Sequence, residues 1–162
     1  MAQSYRRPSW DDYFLAIARV VATRSTCDRG RAGAVVVKDR QILTTGYAGS
    51  PTGLPHCDDV GHQLKKMIHE NGEESIHCVR TVHAEQNAIC QAAKLGIALF
   101  GATLYCKMTP CMTCAKLIIN CGMKRVVCEK RYHADKETLE LFEQAGIELK
   151  VYNQEIETYK QM

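Results

Sequence analysis

The chain has 162 residues, 46% of them hydrophobic and 24% charged, with a formal net charge of +3. This is globular composition, long enough to bury roughly two-thirds of the unfolded surface, and the length suits a single domain over 1–162 with its core at about 9–152. The slight positive charge excludes the strongly basic face of a duplex-binding protein yet suits a small anionic substrate, and no apolar run could span a bilayer.

In chain order, "MAQSYRRPSW" has no apolar stretch behind its arginines, so no signal peptide is read. Ser9 with Asp12 resembles a capping box, and Tyr13, Ile17, Val20 and Val21 recur at helical spacing, predicting a helix over 9–24. "GAVVV" (33–37) and "QILTTGY" (41–47), parted by "KDR", predict a β-hairpin. Residues 48–82 are rich in Gly, Pro and His and read as an irregular insertion, with a short helix around Gln63 to Glu70. A stretch of that kind is usually functional or held by a metal.

The pattern then turns regular, with helices over 83–95, 111–121 and 136–145, each stopped by a glycine. Strands follow them at 102–107, 125–129 and 147–152. The expected fold is a three-layer α/β/α arrangement around a mixed, mostly parallel five-stranded sheet, with the early hairpin at one side. The polar last ten residues are read as a short helix or a frayed end.

Nine cysteines, an odd count without an export signal, argue for reduced thiols serving a metal and for a cytoplasmic location. Cys111 and Cys114 stand three apart in the first turn of a predicted helix, so their thiols share a side. Pro110 suits the start of that turn, and a helix N-terminus favours thiolates. Zinc held by two thiolates takes at least one imidazole readily. His83 offers it, at the start of the preceding helix and hence at the same carboxyl edge of the sheet. Three ligands leave a fourth position for water, and Glu85, two residues on, is placed to carry its proton. By itself the CxxC pair would fit a redox couple or half a structural zinc knuckle; "HAE" and "PCMTC" together satisfy several spacing constraints at once.

H-x-E followed by P-C-x-x-C is the signature of zinc-dependent nucleobase deaminases. With "RSTC", "GYAGSPTGLPHC", "CVRTVHAEQNAI", "TPCMTCAK" and "FEQAGIEL", the chain resembles the deoxycytidylate (dCMP) deaminases, including the bacterial form of competence operons, over about 9–151. The resemblance implies a catalytic zinc on His83, Cys111 and Cys114, with Glu85 as general acid/base while activated water attacks C4 of cytosine and ammonia leaves. It implies that the Ala84 N–H holds the pyrimidine carbonyl and that the Thr109 carbonyl accepts from the 4-amino group. A second, structural zinc is common in this family. Cys27 and Cys57 fall where its ligands are expected, and "HCDDVGH" resembles a stretch ending in cysteine, so His62 would take that place beside Cys78. His77 and His69 are the alternative fourth ligands. Cys90, Cys106, Cys121 and Cys128 read as packing residues within helices and strands.

For the 5′-phosphate, Arg24, Ser25 and Arg31 are candidates, and Tyr132 is a candidate to border the base or sugar. The family loop commonly reads G-Y-N-G, its asparagine expected on the sugar; Ala48 stands there and cannot make that bond. Family members are often hexamers activated by dCTP with Mg²⁺ and inhibited by dTTP. Gly46, Tyr47, Gly49 and Gly53 match the effector loop in part, so the resemblance implies these effectors and a homo-oligomer. Competing readings are a deaminase of tRNA adenosine or polynucleotide cytosine, and a non-catalytic zinc-stabilised module tied to DNA uptake. Against nucleic acid, the sequence has no basic stripe and no aromatic run for stacking bases; against the module, a closed structural site has no use for Glu85.

Overall fold

The computed structural model describes residues 5–68 and 72–157. Helix α1 (Trp10–Ala22) starts where the capping pattern places it, the Ser9 hydroxyl accepting from the Asp12 N–H at 3.1 Å. Strands β1 (Gly33–Lys38) and β2 (Gln41–Tyr47) form the expected hairpin. Asp39 and Arg40 both take positive φ, 52° and 62°, which matches the right-handed twist of a two-residue hairpin loop. Three helix–strand units follow: α3 (Ala84–Leu95) into β5 (Thr103–Met108), α4 (Met112–Asn120) into β6 (Arg125–Tyr132), and α5 (Lys136–Ala145) into β7 (Glu148–Val151). Gly96 and Gly146 close their helices at φ 67° and 68°, the left-handed stop that glycine adopts without Cβ strain.

The sheet order is β2-β1-β5-β6-β7. β1 is antiparallel to both neighbours, and β5, β6 and β7 run parallel. Strand alternation sorts the core into two layers. Val35, Val37, Tyr105 and Val127 pack on Phe14, Leu15 and Ala18 of α1. Val36, Leu104, Val126 and Cys128 face the other way, onto Ala88 and Ala92 of α3, Ile118 of α4 and Phe142 of α5. One apolar set per face is what a period of two dictates, and it gives the expected three layers. Among the described residues no helix is long and apolar enough to cross a membrane.

Three expectations need correction. The segment read as a short helix near Gln63 to Glu70 is half of a second hairpin: β3 (Leu64–Ile68) pairs antiparallel with β4 (Glu74–Cys78), after a one-turn helix α2 (Cys57–Val60). "LKKMI" carries no decisive periodicity, and pairing with a distant strand overrides its local preference. The tail adds a two-residue strand, β8 (Ile156–Glu157), beside β6 in place of a helix; residues 158–162 lie outside the described ones. Cys90 is exposed on α3 rather than packed in the core, whereas Cys106 and Cys128 are buried and Cys121 is half-buried.

Candidate active site

β5 ends at the meeting point of two helix starts. His83 is the N-cap of α3 and Cys111 the N-cap of α4, both in extended backbone at ψ 155° and 165°. The Gln86 side chain accepts from the His83 N–H at 3.0 Å, fixing the first turn of α3. Gly46 lets that helix lie directly on β2: a Cβ there would meet the Ala84 carbonyl oxygen at 2.2 Å and the Ala88 nitrogen at 2.3 Å. On the other side, the Thr138 hydroxyl of α5 donates to the Pro110 carbonyl at 2.9 Å, steadying the turn that presents Cys111.

These constraints bring His83, Cys111 and Cys114 together. His83 Nδ1 lies 3.5 Å from Cys111 Sγ and 3.4 Å from Cys114 Sγ. A tetrahedral zinc with ordinary Zn–N and Zn–S bonds sets such atoms roughly 3.6 Å apart, so the donor set fits the ion. Hydrogen bonding from Cys114 pulls Cys111 down to about 4, against burial and with help from His83. His83 is raised, chiefly by Cys111. Cys114 is pushed far up, first by its bond to Cys111 and then by burial. One ready thiolate beside an imidazole is a suitable start for binding a cation. Glu85, one residue into α3, is buried at 7% exposure and takes a hydrogen bond from Cys114 Sγ at 3.7 Å. Burial raises its carboxyl above the usual range, favouring a protonatable group.

The cluster opens into a cleft of about 760 Å³, solvent at its mouth included. Ala84, Thr109 and Tyr132, three of the expected substrate contacts, line it, and so does Ala48. Tyr132 is 7% exposed and its N–H donates to the Thr109 hydroxyl at 2.7 Å. Arg24, Ser25 and Arg31 do not line it. Ser25 is buried with its hydroxyl donating to the Ala48 carbonyl at 2.7 Å. Arg31 reaches back to the Ser25 carbonyl and to Asp58. Arg24 is exposed just past α1. Of the glycine loop, Gly46 serves helix packing, Tyr47 gives its carbonyl to Asn87 at 2.7 Å, Gly49 bridges to Val82, and Gly53 takes φ 83° with open space around it. Sequence reasoning passed over Arg29, which is 9% exposed and lines the cleft, and Asp135, which is 3% exposed and accepts from the Thr109 hydroxyl. Neither stands in a pattern that could have singled it out, since the contacts that tie them to the cleft, Arg29 to Ile76 and Asp135 to Thr109, are made with residues far along the chain.

A second cluster gathers Cys27, Cys57, His62 and Cys78, their ligand atoms all within 4.8 Å of one another. Cys57 and Cys78 Sγ are 3.5 Å apart, and Cys27 Sγ is 3.7 Å from His62 Nδ1. The other ring nitrogen of His62 meets Asp28 at 3.0 Å, the kind of carboxylate partner that orients a liganding imidazole. The alternative ligand His77 is instead bonded to the Ser75 hydroxyl at 2.7 Å and faces the cleft. His69 lies outside the described residues.

One imidazole and two thiols leave a tetrahedral ion with a position for a reactant, whereas four protein ligands would close it. An open site of that kind, at the carboxyl edge of an α/β sheet and with a carboxylate at its base, places the molecule among the metal-dependent hydrolases. The family model for the cytidine and deoxycytidylate deaminase zinc-binding region matches residues 8–130, and the chain belongs to that family.

It is 43% identical over 141 residues to ComE operon protein 2 of Bacillus subtilis, covering 87% of this chain and 70% of that one. To the deoxycytidylate deaminase of Mycobacterium phage D29 it is 43% identical over 126 residues, covering 76% and 97% of the two chains. The crystal structure of dCMP deaminase from cyanophage S-TIM5 in complex with dCMP and dUMP superposes with a TM-score of 0.71 at 28% identity, covering 91% of this chain and 99% of that one. The chain spans 45% of the length of the deoxycytidylate deaminase of Schizosaccharomyces pombe.

Proposed function

We propose that the chain, acting as one deaminase domain, hydrolyses dCMP to dUMP and ammonia and so supplies dUMP for thymidylate synthesis. The observation that carries this reading is the position of Glu85: buried, and hydrogen-bonded to a member of the His83, Cys111, Cys114 cluster at the base of a cleft. His83, Cys111 and Cys114 would hold zinc, which supplies a Lewis acid able to lower the pKa of water to roughly 7. Glu85 takes a proton from water as its oxygen adds to C4 of the cytosine. It delivers that proton to N3, then moves the proton of the new C4 hydroxyl to the amino group, so that the C4–N bond breaks, ammonia leaves and a carbonyl remains. A carboxyl raised by burial suits both steps, because it is neither too weak a base nor too weak an acid. The Ala84 N–H and the Thr109 carbonyl orient the pyrimidine, and Tyr132 borders it.

In the same reading, Cys27, Cys57, His62 and Cys78 hold a second, structural zinc. Their closed donor set and the Asp28 bond to His62 support it. Thiol-based ligand sets suit a reducing compartment, and we place the protein in the cytoplasm. The test is ammonia release from purified protein given dCMP, CMP, dCTP, deoxycytidine or a tRNA anticodon stem-loop. Turnover of dCMP ahead of the rest supports the reading; a zinc-loaded protein silent on dCMP overturns it. Arms with dCTP and Mg²⁺, or with dTTP, read whether 46–53 carries control, and light scattering in the same buffers reads hexamer assembly.

A further inference from the structure

Four arginines of this molecule have carboxylate counter-charges. Arg125 meets Asp11 and Glu148, Arg131 meets Asp135, Arg31 meets Asp58 and Arg19 meets Glu129. Arg29 is buried without one: it is 9% exposed, and its hydrogen bond runs from Nη2 to the Ile76 carbonyl at 2.8 Å, with no carboxylate against it among the described residues, whereas Arg80, whose side chain also bonds a carbonyl, is only half-buried. A guanidinium stays charged at any ordinary pH, and burying such a charge without an anion is costly. The cost is resolved if the anion arrives with a ligand. Arg29 lines the same cleft as His83, Glu85 and Tyr132.

We propose that Arg29 is the specificity-determining residue that takes the 5′-phosphate of the substrate; this rests on the nucleotide reading of the cleft. The planar fork of a guanidinium matches phosphate oxygens two at a time, and Ile76 fixes its orientation while leaving further N–H groups to donate. The neighbourhood is built for placement. Arg29 follows Cys27 by two residues and Ile76 precedes Cys78 by two, so the four-residue cluster ties both sides of the contact together. Of the nearby alternatives, Arg24, Ser25 and Arg31 do not line the cleft, and Ser25 and Arg31 are bonded elsewhere.

The experiment measures binding of dUMP and of deoxyuridine to zinc-loaded protein by titration calorimetry, with inorganic phosphate as competitor. Arg29→Gln is expected to weaken dUMP about a hundredfold, collapsing its advantage over deoxyuridine, and to abolish competition by phosphate. Arg29→Lys, which keeps the charge and a donor for Ile76, is expected to recover part of that advantage. A dUMP-to-deoxyuridine ratio unchanged in a folded Arg29→Gln overturns the proposal. Where that variant does not fold, a wild-type ratio in Arg29→Lys does the same. Wild-type protein that binds dUMP through Arg29 yet releases no ammonia from dCMP would sink the reaction reading and leave the phosphate assignment standing. Turnover of dCMP with a ratio insensitive to Arg29 would overturn the assignment alone.

Discussion

The Thr109 hydroxyl donates to the Asp135 carboxylate at 2.7 Å, while Arg131 grips the same carboxylate from outside through Nε and Nη2. Thr109 also receives the Tyr132 N–H, so the cleft wall formed by Thr109 and Tyr132 is braced by one buried acid. Arg131 and Thr109 hold that carboxyl below its usual range against the opposing effect of burial. Asp135→Ala should therefore cost about 2 kcal/mol, the scale for losing hydrogen bonds to a buried charge. It should also raise the Michaelis constant for dCMP several-fold as the wall loosens. Urea unfolding with steady-state kinetics checks both; a normal Michaelis constant in a destabilised variant would separate the brace from the cleft.

Asp11 gives a pH-dependent case remote from the metal ligands. Arg125 chiefly, then Lys150 and Tyr105, hold its carboxyl well below the ordinary carboxylate range despite partial burial. A depressed folded-state pKa contributes stability that is present above the unfolded value near 4 and is lost as pH falls through the folded one. Solvent reaches the rim of this cluster, so screening limits the increment to about 1 kcal/mol. The stability difference between wild type and Asp11→Asn should be constant from pH 5 to 8 and shrink below about pH 4. Unfolding midpoints of the pair across that range are the measurement, and a gap that widened in acid would refute the assignment.

Much of this molecule is written locally in its sequence. The three helix–strand units show through their apolar spacing and glycine stops, and the first hairpin through its β-branched runs. His83, Glu85, Cys111 and Cys114 are legible because helix starts impose short, fixed spacings on them. The second hairpin is not, because β3 is exposed along its whole length and carries no buried face to imprint a period. Arg29 is hidden for a related reason: its partner Ile76 lies 47 residues on, in that hairpin. Ala48 shows the opposite limit. Read as a lost sugar contact, it is a buried lining residue whose carbonyl receives the Ser25 hydroxyl and the Thr26 N–H, which accounts for its backbone placement.

The four-residue cluster should behave as a brace. Cys57→Ser removes one of four donors, and closed metal sites contribute folding energy outright. Zinc content should fall from two ions per chain to one. Stability should drop by about 3 kcal/mol, a melting shift on the order of 10 °C for a domain of this size. Elemental analysis with thermal denaturation tests this. An unchanged zinc count would reject the second site, and since β4 carries Cys78 and Ile76, a loss of nucleotide affinity should accompany the loss of metal.

Glu85→Gln separates proton transfer from architecture. The amide matches the carboxyl in shape, so packing around the buried side chain should hold, and the zinc count should stay at the wild-type value. The amide cannot take a proton from water or return one to N3, and removing a positioned acid/base costs turnover about 10²–10⁴-fold. The Michaelis constant should move little, because the pyrimidine contacts expected from Ala84 and Thr109 use backbone groups. Near-normal turnover in a zinc-replete Glu85→Gln protein would remove Glu85 from the chemistry. It would also shift attention to Cys114, whose thiol is the group hydrogen-bonded to that carboxylate.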